Sequence, residues 1–256
     1  MHDNSQAVSE SLGYIMIFAV VVACIAIMYV MGSQIIASNQ ESTSFQSMQQ
    51  NFNVIQSNLI ATASGSSPVK TTTFNVNYGT LSLLPEDESG SLILINFDGH
   101  QKNVPLGTLL FNASSSGAIA LEDGAIITSY DWDSVHDSLM TQEPRLFYSG
   151  PTGTLMICTV NIKSTPSAVS SSYSSLRLNS TTLPQITNIT LDGSPVEVCV
   201  RTNFTNAWSN YLMDIPGLNS NRDTTSPPEW ANVTLSDPLG IRKIIIVNYN
   251  INAELG

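Results

Sequence analysis

The sequence predicts an α+β protein in which one long N-terminal helix precedes an all-β, sandwich-like domain. Three observations support this. The run from Leu12 to Ile36 is almost entirely apolar. An apolar stripe then continues at helical spacing as far as Leu59. From Val69 onward, short alternating or fully apolar runs are separated by Gly, Pro, Asn, Asp and Ser, which is the pattern of strands joined by turns.

The first segment is long enough to cross a lipid bilayer. No charged residue occurs between Glu10 and Glu41, and a helix needs roughly 20 apolar residues to span the hydrocarbon. We therefore predict a transmembrane helix over about residues 12–36. The alternative, a cleaved secretory signal, would need a basic start, a shorter apolar core and a small-residue cleavage site. The sequence favours the span.

The helix is predicted to continue as an amphipathic extension over about residues 37–63. No proline occurs before Pro68, so nothing in the chain forces a break. Apolar residues recur at spacings of three and four, as on a helix that packs against another surface. This packing stripe consists of Phe45, Met48, Phe52, Ile55 and Leu59. It packs either against the chain's own β domain or against neighbouring subunits.

Composition limits the classes of partner. The 256 residues are 42% hydrophobic, enough for a packed core. With 9 Lys+Arg against 20 Asp+Glu, the formal charge of −11 repels nucleic acid, and no nucleic-acid partner is predicted. Charged residues are only 11% of the chain, and Ser, Thr and Asn are abundant, which suits an exported surface protein.

The orientation of the span follows from glycosylation motifs. The first basic residue is Lys70, so the charge rule for topology gives no answer. Five acceptor triplets for N-glycosylation follow the span, at Asn112, Asn179, Asn188, Asn203 and Asn232. We therefore expect a single-pass protein of the cell membrane with an extracellular domain over residues 69–256, in which only some of the five sites are used.

Within this domain, three stretches interrupt the predicted strands. A Ser/Thr-rich stretch over residues 164–184 is predicted to be a long exposed loop. The stretch TNAWSNYLMDI is predicted to form a short amphipathic helix whose Trp208, Tyr211 and Leu212 face the core. Residues 219–230, which include Pro227 and Pro228, are predicted to be an exposed turn.

The cysteines leave two interpretations open. Cys24 lies in the apolar helix, where a thiol behaves as a small hydrophobe. Cys158 and Cys199 lie in two strand-like runs of the exported domain. They form either a disulfide between neighbouring strands or two reduced thiols in the core. No Cys-x-x-Cys pair supports a zinc site.

No catalytic residue, metal site or cofactor is predicted. The densest titratable cluster comprises Asp131, Asp133, His136 and Asp137. It lacks the ligand spacing and final glutamate of an EF-hand loop, and is predicted to be a solvated loop. The chain has 3 histidines and no recognisable motif for a nucleophile, a phosphate loop or a catalytic metal. The sequence therefore favours a protein that is not an enzyme.

The stretch AVSESLGYIMIFAVVVACIAIMYV resembles the N-terminus of archaeal type IV pilins and archaellin-like proteins. In that family a leader ends in a small residue, and a polar tripeptide, a glycine and the apolar helix follow. The matching places are occupied by Ala7, Val8, Ser9, Glu10 and Gly13. The resemblance implies that a prepilin peptidase removes residues 1–7 by cutting after Ala7, and that the helix over residues 8–64 enters a filament core.

Four further stretches are similar to a group of uncharacterised archaeal membrane proteins that share this start, namely FQSMQQNFNVIQSNLIATASG, LEDGAIITS, MTQEPRLF and AWSNYLMD. The resemblance implies a structural pilin-like subunit of an archaeal cell-surface filament. Its expected partners are the membrane, like subunits packed through the N-terminal helix, and the peptidase and assembly machinery. The alternative is a membrane-anchored extracellular binding module that never polymerises. The two hypotheses differ in processing, since a static anchor can keep its leader.

Overall fold

The computed structural model describes residues 4–113, 117–130, 138–180, 182–224 and 227–256. The chain divides into two compact units, Met1–Thr43 and Ser44–Gly256. A single helix, α1 (Asn4–Ala63), begins in the first unit and ends in the second. The prediction of one long N-terminal helix is confirmed.

The second unit contains fifteen described strands, a 3-10 turn at Gly150–Thr152 and a second helix, α2 (Thr205–Met213). The strands are β1 (Val69–Leu84), β2 (Leu92–Phe97), β3 (His100–Pro105), β4 (Thr108–Ala113), β5 (Ala118–Glu122), β6 (Ala125–Ser129), β7 (Ser138–Gln142), β8 (Arg145–Ser149), β9 (Thr154–Lys163), β10 (Ser167–Asn179), β11 (Gln185–Thr190), β12 (Val196–Arg201), β13 (Asn219–Arg222), β14 (Trp230–Ser236) and β15 (Lys243–Leu255).

These strands form two sheets. The larger has ten strands in the order β7-β6-β5-β4-β1-β10-β15-β9-β8, with β11 paired to β15. The smaller has five strands in the order β13-β14-β12-β2-β3. Most pairs are antiparallel, but β15 and β9 run parallel, from Lys243 beside Thr154 to Asn252 beside Lys163. The predicted α+β class, with a helix followed by a β-rich domain, is confirmed.

The ten-stranded sheet is covered on both faces. Ile119 and Leu121 of β5 belong to one hydrophobic cluster together with the last four turns of α1, whereas Ala120 belongs to a second cluster with the five-stranded sheet and α2. Alternation along a strand produces this division, because successive side chains point to opposite faces. The second unit therefore has three layers, with the C-terminal part of α1, the large sheet and the small sheet in that order.

Asp123 and Gly124 form the turn between β5 and β6. Glu122 pairs with Ala125 across the ladder, and the two residues between them, Asp123 and Gly124, have φ of 52° and 76°. Two consecutive positive φ values define the type I′ hairpin turn, for which Asp-Gly is a preferred sequence. β5 and β6 therefore form a β-hairpin.

The prediction of a long exposed loop over residues 164–184 is wrong for its central part. Residues Ser167–Asn179 form β10, which pairs with β1 on one side and with β15 on the other. Leu176 and Leu178 point into the cluster beneath α1, while the serines give the strand its polar appearance. The predicted short helix is confirmed as α2, and part of the predicted turn before Trp230 is the edge strand β13.

Candidate functional site: the N-terminal helix and a buried acidic pair

The N-terminal part of α1 presents an apolar surface without cover. Every residue from Gly13 to Met31 is exposed, including Phe18 at 70% and Tyr29 at 76%. Soluble monomers rarely expose a contiguous apolar patch of more than a few hundred Å². By length and composition this helix is able to cross a membrane. Lipid or other apolar helices are therefore the surroundings that suit it.

The C-terminal part of α1 has the opposite character. The whole packing stripe is buried, and Phe52, Ile55 and Leu59 are completely inaccessible to solvent. The stripe packs against strands of the chain's own large sheet, including Phe74 of β1 and Phe111 of β4. Of the two partners that the spacing allowed, the structure places the β domain against this stripe.

Polar contacts hold this part of the helix to the sheet. Ser44 Oγ donates to the carbonyl of Asn77 at 2.7 Å, and Asn58 Nδ2 donates to Thr72 Oγ1 at 2.9 Å. Gln56 Nε2, which is buried, donates to the carbonyl of Gly124 at 2.7 Å. The last contact connects α1 directly to the β5–β6 turn.

That turn carries two adjacent buried carboxyl groups. Glu122 is 2% exposed and accepts four hydrogen bonds. Ser91 Oγ and Thr108 Oγ1 donate to its Oε1 at 2.8 and 3.3 Å. Thr202 Oγ1 and Trp208 Nε1 donate to its Oε2 at 2.7 and 3.2 Å. Since Ser91 and Thr202 flank strands of the small sheet and Trp208 lies on α2, one carboxyl group joins the two sheets and the helix.

Asp123 connects the β5–β6 turn to β9, a distant strand of the same large sheet. Its Oδ1 accepts a hydrogen bond of 2.6 Å from the backbone N–H of Val160 on β9. In the strand order, β9 and β5 are separated by β4, β1, β10 and β15. The contact therefore shows that the sheet curls until its two halves meet at this turn.

Burial dominates the electrostatics of the pair. It raises the pKa of the Glu122 carboxyl above its ordinary value, although the four hydrogen bonds act to lower it. Burial also raises the pKa of Asp123 well above its ordinary value; the Val160 N–H opposes this rise, and the neighbouring Glu122 adds to it. Because both groups are enclosed and hydrogen-bonded within the protein, the arrangement is suited to holding layers together and gives a substrate no access.

The glycosylation triplets differ in accessibility. Asn188 on β11 and Asn203 before α2 are exposed, whereas the other three asparagines are half-buried. The carboxamide oxygens of Asn112 and Asn232 are shielded from solvent within their strands. Accessible side chains are therefore found at two of the five predicted sites.

The cysteines of the β domain are free thiols. Cys158 lies on β9 of the large sheet and Cys199 on β12 of the small sheet, so the first of the two open interpretations, a disulfide between neighbouring strands, has no basis in the topology. The second interpretation, two reduced core thiols, describes them. Burial is the main cause that raises the pKa of Cys199 to about 12, and nearby acidic groups contribute.

The processing site and the titratable cluster are the remaining predicted sites. Ala7 and Val8 fall within α1. Asp131, Asp133, His136 and Asp137 lie outside the described residues. In the part of the chain that is described, no three His, Cys, Asp or Glu side chains are grouped so that they could hold a metal ion.

Comparison with known proteins identifies the family. The profile of DUF7289, a family of unknown function, matches residues 6–254. The chain belongs to this family. It is also similar to an uncharacterised protein of Archaeoglobus fulgidus, with 32% identity over 104 residues, which is 40% of this chain and 34% of the relative. The match thus spans about a third of that relative's length. No solved structure matches.

The sequence analysis did not predict the buried acidic pair, Glu122 and Asp123, of this DUF7289 chain. Two signals were available, namely the Asp-Gly turn dipeptide and a pair of charges inside an otherwise apolar run. The partners of Glu122 carried no signal of their own. Ser91 is 31 residues from Glu122 in the sequence, Thr202 is 80 residues away, and Trp208 is 86 residues away.

Proposed function

We propose that this chain is a pilin-like structural subunit of an archaeal cell-surface filament, anchored in the membrane and assembled through α1, with its β domain outside the cell. One observation carries the proposal. The same helix has an exposed apolar surface along residues 13–31 and a stripe between Phe45 and Leu59 that its own β domain covers completely. The second part fixes the helix to the body, and the first part remains available to an apolar environment.

A helix with one exposed apolar segment and one buried stripe suits a subunit that leaves the membrane for a filament. On assembly, the lipid around the exposed segment is replaced by the helices of other subunits. Burial of apolar surface is favourable by about 25 cal/mol per Å². Within a bilayer, lipid covers the surface before assembly; within a filament core, the helices of like subunits cover it afterwards. The β domain needs no refolding for this exchange, because its core is complete without the exposed segment.

The N-terminal sequence adds support for the processing step. By resemblance to archaeal type IV pilins, the peptidase cuts between Ala7 and Val8 on the cytoplasmic side. The mature helix then begins at Val8 and retains the whole apolar segment. The similarity to an archaeal protein agrees with an archaeal system, although that relative is itself uncharacterised.

The proposal is tested by placing a charge within the apolar segment. Ile25, which is 58% exposed, is replaced by Asp in the full chain expressed in an archaeal host. A charge at the centre of a span costs about 2.5–3.5 kcal/mol on insertion scales. The matched control is Asn39→Asp, which adds the same charge at an exposed position beyond the predicted span. Membranes washed with carbonate and filaments sheared from cells are then probed for the chain.

We expect the wild type and Asn39→Asp in both fractions, and Ile25→Asp depleted from both. If the chain is retained in washed membranes but never occurs in sheared filaments, the filament function is wrong and a membrane-anchored binding module takes its place. If Ile25→Asp behaves like the control, the apolar segment is neither a membrane anchor nor an assembly surface.

A further inference from the structure

One end of the large sheet has an apolar face that is open to solvent. Phe147 of β8 pairs with Met156 of β9, and Met156 pairs in turn with Ile245 of β15. Phe147 is 56% exposed, and the other two side chains are partly exposed. In the next row, Ile186 of the edge strand β11 is 62% exposed. These four residues form what we call the uncovered face.

Strand alternation fixes the direction of the uncovered face. Leu155 and Ile244, which precede Met156 and Ile245, belong to the cluster shared with the small sheet and α2. Because successive side chains of a strand point to opposite sides, Met156 and Ile245 point away from the small sheet. In the part of the chain that the structure describes, the cluster beneath α1 does not include them either. Contiguous exposed apolar surface of this kind marks a place where something else binds.

A predicted glycosylation acceptor lies in register with this face. Asn188 of β11 pairs with Ile245 of β15, and directly paired residues carry their side chains on the same side of a sheet. Asn188 therefore continues the row that begins at Phe147. Its side chain is exposed, and β11 pairs only with β15 among the described strands, so the acceptor stands at an open edge. Three strand spacings separate Asn188 from Phe147, about 14 Å in all, a distance that a short oligosaccharide spans.

Cationic side chains lie at the margins of the uncovered face. Lys243 pairs with Thr190, the last residue of the Asn188 acceptor triplet. Arg145 is exposed and pairs with Cys158, in the row next to Phe147. Lysine and arginine side chains are hydrogen-bond donors only, and the hydroxyl and ring oxygens of a sugar accept such bonds. An apolar centre with donors at its margin therefore matches a pyranose ring, which has C–H groups on its flat faces and oxygens around its rim.

We propose that an N-linked oligosaccharide on Asn188 lies back across the uncovered face and covers the row from Ile245 to Phe147. The C–H faces of its sugar rings pack on the apolar side chains, and its rim oxygens accept hydrogen bonds from Lys243 and Arg145. The glycan is then a structural part of the β domain. This inference rests on the part of the proposed function that places the β domain outside the cell, and it does not require filament assembly.

The test uses Met156 as a reporter, because it lies in the middle of the covered row. The full chain is purified in detergent from its native host and treated with dilute hydrogen peroxide. Peptide mass spectrometry then gives the rate at which Met156 becomes the sulfoxide and the occupancy of Asn188. Met213 is the internal reference, since it is 41% exposed on α2, which packs on the other side of the large sheet.

Two variants remove the glycan in different ways. Asn188→Gln removes the acceptor, and Thr190→Val removes the hydroxyl group that the triplet requires while it keeps Asn188. Both should raise the oxidation rate of Met156 relative to Met213 by about twofold or more, because the sulfur atom becomes more exposed. The matched control is Asn203→Gln, which removes the other exposed acceptor, before α2, and should leave this ratio unchanged.

Three results would overturn the proposal. The first is a native chain in which Asn188 carries no glycan; a glycan at Asn203 in that chain would leave the extracellular position of the β domain intact. The second is a Met156 rate that is the same in the wild type and in both acceptor variants. The third is a Met156 that is protected in all of these chains and becomes reactive only on dilution, since a second copy of the chain would then be the cover. Unchanged near-ultraviolet circular dichroism establishes that each variant is folded.

Discussion

Replacement of Glu122 by Leu should loosen the junction between the two sheets. The carboxyl group is the common acceptor for donors from β4, from α2 and from the residues that adjoin β2 and β12 of the small sheet. Leucine has a similar side-chain volume but accepts no hydrogen bond. Trp208 Nε1 can only donate, so it remains buried without an acceptor, whereas the hydroxyl groups of Ser91, Thr108 and Thr202 can rotate towards other acceptors.

The magnitude follows from these partners. An unsatisfied buried donor costs about 1–3 kcal/mol. Counting Trp208 in full and the three hydroxyl groups in part, and offsetting the gain from removing a buried carboxyl group, we expect a loss of about 3 kcal/mol. For a domain of this size each kcal/mol lowers Tm by roughly 2–4 °C, so the shift should be roughly 6–12 °C.

Glu122→Gln separates hydrogen bonding from charge. Its amide oxygen can face Trp208 and Thr202 while its NH₂ group donates to the hydroxyl groups of Ser91 and Thr108. The folded-state pKa of Glu122 is raised above 4.5, so its stabilising contribution is present below that pH and is lost as the pH rises through the folded value. Glutamine should reduce this decline, and at neutral pH the Gln variant should be at least as stable as the wild type.

Both variants are assayed by thermal unfolding in detergent, followed by near-ultraviolet circular dichroism at pH 4 and pH 8. The matched control is Glu88→Leu at an exposed position, which should change the free energy of unfolding by less than about 0.5 kcal/mol. A Glu122→Leu variant as stable as this control would refute the role of Glu122 at the junction. If the stability of the Gln variant and of the wild type changed equally with pH, ionisation of Glu122 would not be the cause of the decline.

Three further predictions concern helix packing, thiols and glycans. Phe52→Ala should cost about 3–5 kcal/mol in denaturant unfolding, while Val54→Ala, on the exposed side of the same helix, should cost less than about 1 kcal/mol; equal costs would contradict the packing described. Cys199, whose pKa burial raises to about 12, should resist iodoacetamide at pH 8 until the chain is unfolded, and an intact mass lower by two hydrogen atoms would instead indicate a disulfide. Glycopeptide mass spectrometry should find occupancy at the exposed Asn188 and Asn203, and glycans confined to the three half-buried sites would contradict this.

Local signals predicted much of this fold. The apolar segment, the stripe from Phe45 to Leu59 and the amphipathic α2 each depend on residues spaced three or four apart, and such patterns need no knowledge of the rest of the chain. The strand β10 was missed because only one of its faces meets the core. Its serines are typical of a loop, and the pairing of β10 with β1 and β15 decides its conformation.

The junction between the two sheets could not be predicted because its parts are distant in sequence. Glu122 comes from LEDGAIITS, Pro144 from MTQEPRLF, and Trp208 and Tyr211 from AWSNYLMD. Each stretch alone gives no sign of the others. The fold joins them through the Trp208–Glu122 hydrogen bond and the Tyr211–Pro144 contact, and both depend on how α2 packs against the large sheet.

The most direct test of the proposed function is mass spectrometry of the mature N-terminus in protein purified from its native membrane and from sheared filaments. We expect a chain that begins at Val8 in both fractions, because a filament subunit loses its leader and keeps the whole apolar part of α1. A chain that still begins at Met1 or His2 and occurs in the membrane alone would contradict it.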